Sequence, residues 1–428
     1  MMAKSWNGGR RASRGIATGA LAVSAIVGTM ATTASAQVAA TRKTPKFVLP
    51  ASLKGPAPAE VKFVLPPVFG PALIADGAGY FAAVDARFHT TISVNISPSG
   101  GSPEEAAFLG GSDQWMQIGL PSTTPGMVTG STHQDQLAVF NDGLALGVPV
   151  IGAQQYKATK GTSVAAYGKP GVTWCDVTPV GTATTAIKLV AAHYHVDLAG
   201  HNLTSVGTGS AILPSFQSGR CAIAAGDPAV GVLTHTAYIL FNSANPGPTI
   251  SIAGEQTGVP VYTSHAFANA YPQLTQAIVD ALLKALTVIQ TNVHDTAFLY
   301  GLLPQVETSV VPYPNFAEDI RLEGAVYNPK YNDGTFVPQE ITDSWVLNEA
   351  AGVTPLGSVM SPAANFANKY VIRAYKDLGL TRPVGGQNGP AVLPTKLGKP
   401  SLEMAKAYAE LTGQPVPAND GPSPLGKV

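Results

Sequence analysis

The sequence has few charged residues and no excess of either sign. It contains 26 Lys and Arg against 26 Asp and Glu, and charged residues make up 12% of the chain. Proteins that bind nucleic acid or anionic membranes through their overall field need a basic excess, which this composition excludes. Only two cysteines are present, Cys175 and Cys221. They could pair as a disulfide in an oxidising compartment, or serve as two small buried hydrophobic residues.

Common catalytic and metal-binding motifs are also missing. No GxSxG, P-loop or HExxH occurs, and Gly207-Thr208-Gly209 lacks the third glycine of a dinucleotide loop. His193, His195 and His201 are close in sequence, but residues two apart on a helix face different ways, and no carboxylate or cysteine completes a set of ligands. We therefore expect no catalytic residues, no cofactor and no metal.

The first 36 residues have the layout of a secretory signal peptide. A basic start precedes a run of small and apolar residues over 15–31, and Ala34-Ser35-Ala36 is a small-residue cleavage pattern. The alternative is a membrane anchor, for which the run is only weakly apolar. No cysteine near the cleavage point could carry a lipid, so we expect a soluble protein exported to a Gram-negative periplasm. Sec and twin-arginine export both stay open.

The rest of the chain is expected to form a leader, two lobes and a tail. The mature length of about 390 residues suits two lobes, and 45 glycines and 35 prolines indicate long loops. The expected segments are a flexible leader at 37–60, the first part of lobe 1 at 61–155, lobe 2 at 156–250, a return to lobe 1 at 251–380, and a Pro/Gly-rich C-terminal tail at 381–428.

One pattern of local sequence occurs twice, at 97–121 and at 205–228. Each copy runs from a strand end through a Gly/Ser turn into a short helix, then a Gly break, a short apolar strand and a proline where a new helix should begin. The pattern predicts one βαβ unit used once in each lobe. If the lobes face each other, two helix starts would direct N–H groups and positive dipole ends at a small polar or anionic ligand.

Strands alternating with helices predict an α/β fold with a mostly parallel sheet in each lobe. The clearest helix is expected over 273–291, where Leu274, Ile278 and Leu282 follow helical spacing. Other expected elements are helices near 338–351, 362–378 and 401–412, a helix after Pro228 that runs to about Phe241, and a returning strand at 250–253.

Five segments, in this order, give the sequence a family resemblance. They are FGPALIADGAGYFAA, GGSPEEAAFLGGSDQWMQIGLPSTT, VGTATTAIKLVAAHYHV, GTGSAILPSFQSGRCAIAAGDPAV and SHAFANAYPQLTQAIVDALLKALTVI. Over roughly residues 60–350 the chain resembles the substrate-binding proteins of ABC importers, within the nitrate/sulfonate/bicarbonate and thiamine-precursor group. The resemblance implies a two-lobed type II periplasmic binding protein fold with a ligand cleft between the lobes. The short segment before Val180 and the long C-terminal tail depart from the family pattern.

The resemblance also implies which loops contact the ligand: Phe69-Gly70-Pro71, Pro121–Thr124, Thr182–Thr185 and Asp227-Pro228. Within these loops, hydroxyls could bind an oxyanion or could cap their own helices. Asp227 could likewise cap a helix or accept a hydrogen bond from a ligand amine. Phe69 and Tyr156 could form apolar walls, whereas Trp115 is expected in the core. The candidate contacts are Phe69, Gly70, Pro71, Pro121, Ser122, Thr123, Thr124, Tyr156, Thr182, Thr184, Thr185 and Asp227.

The expected function is therefore that of a solute-binding protein, not an enzyme. It would be a monomer that closes over a small anion or zwitterion, such as a sulfonate, taurine or nitrate, and meets a membrane ABC permease transiently. The lack of Lys and Arg in the contact loops also leaves room for a neutral heterocycle. The alternatives are a secreted enzyme on the same fold and a periplasmic sensor.

Overall fold

The computed structural model describes residues 45–66, 70–97, 101–128, 135–143, 150–156, 164–169, 171–176, 180–198, 203–206, 209–225, 237–241, 257–292, 296, 329, 332–384 and 388–415. All of them belong to one compact unit, Thr44–Val428. The other unit, Met1–Lys43, contains the predicted signal peptide and lies outside the described residues. Within the described residues, no helix combines the length and the apolar composition needed to cross a bilayer.

Lobe 1 is built on a five-stranded sheet with the order β2-β1-β3-β10-β4. Strand β1 pairs in parallel with β2 and β3, while β10 is antiparallel to both β3 and β4. The carboxyl ends of β1 to β4 therefore meet at one edge of the sheet. The strands are β1 (Glu60–Leu65), β2 (Thr91–Ile96), β3 (Trp115–Gln117), β4 (Gln136–Asn141) and β10 (Pro260–Ser264).

Lobe 2 repeats this plan with the order β7-β6-β8-β5-β9. Its β6 pairs in parallel with β7 and β8, and β5 is antiparallel to β8 and β9. Each sheet thus places one antiparallel strand between its third and fourth parallel strands, which confirms the α/β fold. The strands are β5 (Val150–Ala153), β6 (Trp174–Asp176), β7 (Leu203–Ser205), β8 (Ile223–Ala225) and β9 (Ala237–Phe241). Strand β5 belongs to sheet 2 although it precedes the expected lobe boundary at 156.

Helices cover the sheets, and the longest of them matches the apolar spacing in the sequence. The described helices are α1 (Pro71–Gly77), α2 (Tyr80–Phe88), α3 (Ser102–Leu109), α4 (Leu120–Met127), α5 (Thr182–His193), α6 (Gly209–Gln217), α7 (His265–Ala270), α8 (Pro272–Thr291), α9 (Pro338–Ala350), α10 (Pro362–Asn365), α11 (Asn368–Asp377) and α12 (Leu402–Thr412). Leu274, Ile278 and Leu282 of α8 are fully buried, as the helical spacing predicts.

Two expected elements differ from the structure. The sequence predicts a helix that begins after Pro228 and runs to about Phe241. Residues 237–241 instead form strand β9, which pairs antiparallel with β5. This segment, AYILF, contains two aromatic residues and the β-branched Ile239, which are residue types that favour strands. The helix expected over 362–378 is two helices, α10 and α11, separated where Phe366 forms a bridge with Ala138 of β4. The strand expected at 250–253 lies outside the described residues.

The expected leader and tail are both packed where the structure describes them. In the leader, Leu49 and Leu53 are buried, and Arg87 Nη1 donates to Pro50 O at 3.1 Å. In the tail, Leu393 and Leu397 join the core of lobe 1, whereas Met404 and Tyr408 of α12 join the core of lobe 2. The apolar side chains spaced through these Pro-rich segments explain the packing, since each buries surface against a lobe.

Candidate functional site

The carboxyl edge of sheet 1 brings together a helix start and two buried polar side chains. Gly70 is the N-cap of α1, and a Cβ there would lie 2.6 Å from Asp142 Oδ2 and 3.0 Å from Gln117 Nε2. Gln117 ends β3 and donates its Nε2 to Asp142 Oδ2. Asn332 Nδ2 donates to Asp142 O at 2.6 Å, which holds this segment in place. A glycine at 70 is required because any side chain would displace the Asp142 carboxylate.

The carboxyl edge of sheet 2 is also organised by an aspartate. Asp176 ends β6 and is 1% exposed. Its Oδ2 accepts a hydrogen bond from Thr184 Oγ1 at 2.9 Å, and its Oδ1 accepts one from Ser205 Oγ. These bonds tie the first turn of α5 to the ends of β6 and β7, so the start of α5 is fixed at this edge.

The two edges touch each other directly through the starts of α4 and α5. Gly119 is the N-cap of α4, and a Cβ on it would lie 2.3 Å from Thr182 Oγ1, in the first residue of α5. Beside this contact, Ser122 Oγ donates to Val180 O at 3.4 Å, near the limit for a hydrogen bond. We call these two pairs, Gly119 with Thr182 and Ser122 with Val180, the lobe contact. The helix start at Pro121, which the first copy of the doubled pattern predicts, therefore faces the other lobe, where it meets the start of α5. The helix start that the second copy predicts, after Pro228, lies outside the described residues.

Most of the predicted hydroxyl contacts are engaged within their own lobes. Thr123 Oγ1 bonds Leu120 O at 3.1 Å and Tyr262 OH at 2.9 Å. Thr124 Oγ1 donates to Leu120 O at 2.6 Å, and Thr185 Oγ1 donates to Gly181 O at 3.0 Å. Since these side chains are buried and bonded to protein, they stabilise the helix starts and are poorly placed to bind a ligand. Ser122 and Thr182 are the predicted hydroxyl residues that lie at the lobe contact.

The starts of α4 and α5 differ in how their first N–H groups are arranged. In α4, the N–H of Leu120 donates to Gly258 O at 3.1 Å, and Pro121 has no N–H. In α5, the N-cap is Gly181, which has no side chain to bond the N–H groups of the first turn. The sequence at 118–124 and 180–185 contains no Lys or Arg. An anionic group here would therefore be bound by backbone N–H groups and the helix dipole of α5.

The remaining predicted contacts fall into three groups. Pro71 and Pro121 lie in the first turns of α1 and α4, where they shape the helix starts. Tyr156 lies at the edge of sheet 2 opposite to the candidate site. Strand β5 runs antiparallel to β8, with Gly152 opposite Ile223, so the residues after Ala153 leave the sheet at the amino end of β8. Phe69 and Asp227 lie outside the described residues.

Sequence reasoning missed three residues of the site: Gln117, Gly119 and Asp142. A polar residue directly after an apolar strand was the available signal for Gln117 and Asp142, because such residues lie at the carboxyl edge of a parallel sheet. Gly119 carried no such signal, since only the approach of the second lobe makes its lack of a side chain necessary. Of the three histidines considered as metal ligands, His193 has its Nδ1 3.1 Å from Glu410 Oε2. The described residues hold no group of three or more His, Cys, Asp or Glu placed to bind a metal.

A buried carboxyl group also lies in the first turn of α3, at the edge of sheet 1. Glu104 is 1% exposed; its Oε2 accepts a hydrogen bond from Gly101 N at 3.1 Å, and its Oε1 has no hydrogen-bond partner among the described residues. Burial raises the pKa of Glu104 to about 8, although the hydrogen bond from Gly101 opposes this. The folded protein therefore holds a proton on Glu104 that the unfolded chain releases near its ordinary pKa of about 4.3.

This difference predicts a pH-dependent effect of the variant Glu104→Gln. Between about pH 5 and pH 8 the folded state binds the proton and the unfolded state does not, so ionisation of Glu104 lowers the free energy of unfolding as the pH rises, by at most about 1.4 kcal/mol per pH unit. Glu104→Gln keeps the hydrogen bond from Gly101 and removes this slope. Urea unfolding at pH 5.5, 6.5 and 7.5 would measure this effect. The free energy of unfolding of the variant, relative to that of the wild type, should increase with pH.

The control for this measurement is Glu60→Gln, because Glu60 is exposed and accepts a single hydrogen bond from Ser93 Oγ. The free energy of unfolding of this control should vary with pH in the same way as that of the wild type. The prediction would be contradicted if the free energies of unfolding of Glu104→Gln and the wild type differed by the same amount at all three pH values.

Three solved structures show what this fold is similar to. A protein of Bordetella bronchiseptica RB50 aligns with a TM-score of 0.58 at 19% identity, over 74% of this chain and 98% of that one. The periplasmic nitrate-binding protein NrtA from Synechocystis PCC 6803 aligns with a TM-score of 0.60 at 15% identity, over 76% of this chain and 91% of that one. A putative periplasmic sulfonate-binding protein, SsuA, from Methylobacillus flagellatus KT aligns with a TM-score of 0.51 at 14% identity, over 77% of this chain and 98% of that one.

These likenesses define the class of fold. The chain has the two-lobed fold of the periplasmic binding proteins, as its sequence resemblance implied. No protein-family model matches the chain, and no curated protein matches it in sequence. The two named neighbours are binding proteins rather than enzymes.

Proposed function

We propose that this chain is a solute-binding protein of an ABC importer, in the nitrate/sulfonate group that its sequence resembles. The observation that carries the proposal is the lobe contact, where two helix starts from facing lobes meet at the carboxyl edges of both sheets. Ligands of open α/β sheets bind at such edges. A ligand that touches both lobes would favour the conformation in which they are together, because it binds that conformation more tightly.

The ligand class that best fits the site is a small zwitterion. The start of α5 supplies N–H groups for an anionic end, such as a sulfonate. On lobe 1, Asp142 places a buried carboxylate beside the start of α1, where it would repel a simple anion such as nitrate. An ammonium group on the ligand would instead be attracted to Asp142. Taurine combines these two ends in one small molecule.

The remaining parts of the proposal concern place and partners. The signal-peptide pattern at 1–36 and the periplasmic location of the named neighbours support export to the periplasm. There the protein would act as a monomer and deliver its ligand, chemically unchanged, to a membrane ABC permease. These statements rest on the sequence pattern and on the shared fold.

A matched pair of ligands tests both the function and the ligand class. Taurine and 1-propanesulfonate have nearly the same shape, and only taurine carries an ammonium group. Isothermal titration with the mature protein is expected to give binding to taurine that is at least about ten-fold tighter, which corresponds to about 1.4 kcal/mol. Asp142→Asn should remove most of this preference, whereas Asp113→Asn, in the exposed turn after α3, should keep it.

The other outcomes of this titration also decide something. If both sulfonates bind with equal affinity, the proposed binding function stands and the proposed zwitterionic ligand class is wrong. If neither sulfonate nor nitrate binds, and a neutral pyrimidine does, the ligand class is wrong. A ligand recovered in altered form would reject the proposed function in favour of an enzyme.

A further inference from the structure

The lobe contact consists of protein atoms alone and depends on a missing side chain. The N-cap of α4 is Gly119, whose φ of −59° and ψ of 137° are open to any residue. A glycine is therefore not needed there for its backbone conformation. What requires it is space, since a Cβ would lie 2.3 Å from Thr182 Oγ1, far inside van der Waals contact.

We propose that Gly119 determines how closely the two lobes approach each other, with Thr182 as its partner across the cleft. In this role the side chain of Thr182 contacts the facing lobe and not the ligand. The inference rests on the proposed function for its meaning, because lobe approach is what a solute-binding protein uses to hold its ligand. It also places the ligand beside the Gly119–Thr182 pair rather than between the two residues, since they leave no room for one.

A second connection between the lobes must be separated from this one. Helix α9 contributes Ile341 and Trp345 to the core of lobe 1, and Val346 and Leu347 to the core of lobe 2. Next to the lobe contact, Asn348 Nδ2 of α9 donates to Thr124 Oγ1 of α4 at 2.7 Å. If α9 alone fixed the distance between the lobes, a methyl group at 119 would be absorbed locally and the lobes would not move.

The test measures the distance between the lobes directly. Spin labels are attached at Ala86→Cys in α2 and Ala165→Cys in lobe 2, both exposed positions, and double electron–electron resonance is recorded on the full mature protein. The native cysteines are joined in a disulfide and do not react with the label. Gly119→Ala is expected to shift the distance distribution to longer values or to broaden it towards them.

A double variant shows whether the effect is steric. In Gly119→Ala with Thr182→Ala, the hydroxyl is gone, and the nearest remaining atom of residue 182 is its Cβ, 3.5 Å from the new methyl group. That is an ordinary contact, so the distance distribution should return to the wild-type one. Gly55→Ala is the control, because its Cβ would meet nothing closer than 3.6 Å, and it should leave the distribution unchanged.

Two results would overturn the inference. One is a wild-type distribution in folded Gly119→Ala, which would assign lobe spacing to α9. The other is a double variant that stays as displaced as the single one, which would point to damage in α4. If Gly119→Ala does not fold, Thr182→Leu places the bulk on the other lobe and must give the same displacement. The labels report lobe distance without a ligand, so failure of every ligand titration would reject the proposed function and leave this result standing.

Discussion

Replacing Arg382 with alanine is expected to lower the free energy of unfolding by about 3–5 kcal/mol, because it leaves a buried carboxylate without its charged partner. Asp333 is fully buried, and its Oδ2 accepts a hydrogen bond from Arg382 Nε at 2.9 Å and a second one from Nη2. The same guanidinium donates to Gly389 O at 3.1 Å. Urea unfolding followed by circular dichroism at pH 7 would measure the loss.

The control is Arg373→Ala, which breaks a different kind of ion pair. Arg373 Nε lies 3.1 Å from Asp377 Oδ2, four residues further along α11, and the arginine side chain is 40% exposed. Exposed pairs of this kind contribute at most about 0.5 kcal/mol. A loss of similar size in both variants would mean that the buried position of Asp333 is not the cause, and would contradict the prediction.

Removing the disulfide by the double substitution Cys175→Ala, Cys221→Ala is expected to cost about 2–5 kcal/mol of stability. The bond joins β6 to the residue two positions before β8, across a sequence separation of 46. Both cysteines are fully buried in a cluster with Ile212 and Phe216, so the bond closes a long loop through the core of lobe 2. Without it, the unfolded chain gains conformational freedom, and two sulfur atoms are lost from a packed region.

A reducing agent separates these two contributions. Dithiothreitol should lower the midpoint of thermal unfolding of the wild type and leave that of the double variant unchanged. If the reductant has no effect on the wild type under conditions where free thiols are detected, the bond contributes nothing to stability. The stability loss of the double variant would then be due to packing alone.

The fold was largely predictable from local sequence. Apolar spacing located α8, and the alternation of strands and helices gave the α/β class, because each signal arises within one element. The two wrong predictions of secondary structure arose where a contact with a distant segment of the chain determines the local conformation. Residues 237–241 form a strand because β5 lies beside them, and the helix expected over 362–378 is broken where Phe366 meets Ala138 of β4.

The candidate site was predictable at the level of loops, but not of side chains. Pro121–Thr124 and Thr182–Thr185 do lie at the facing helix starts. Sequence alone could not separate a hydroxyl that binds a ligand from one that bonds its own helix, since both roles favour Ser and Thr at the same positions. Only the positions of Leu120 O and Gly181 O show that Thr124 and Thr185 bond within their own helices.

By itself the sequence determined the class of fold and the doubled βαβ plan, because strand and helix signals are local and the pattern occurs twice in the chain. The tertiary structure decided which residues form the site. Gly70 faces Asp142, and Gly119 faces Thr182, only after segments distant in the chain have packed together. The physical reason is that the need for a glycine at each position comes from an atom on another segment, and no pattern of neighbouring residues records that contact.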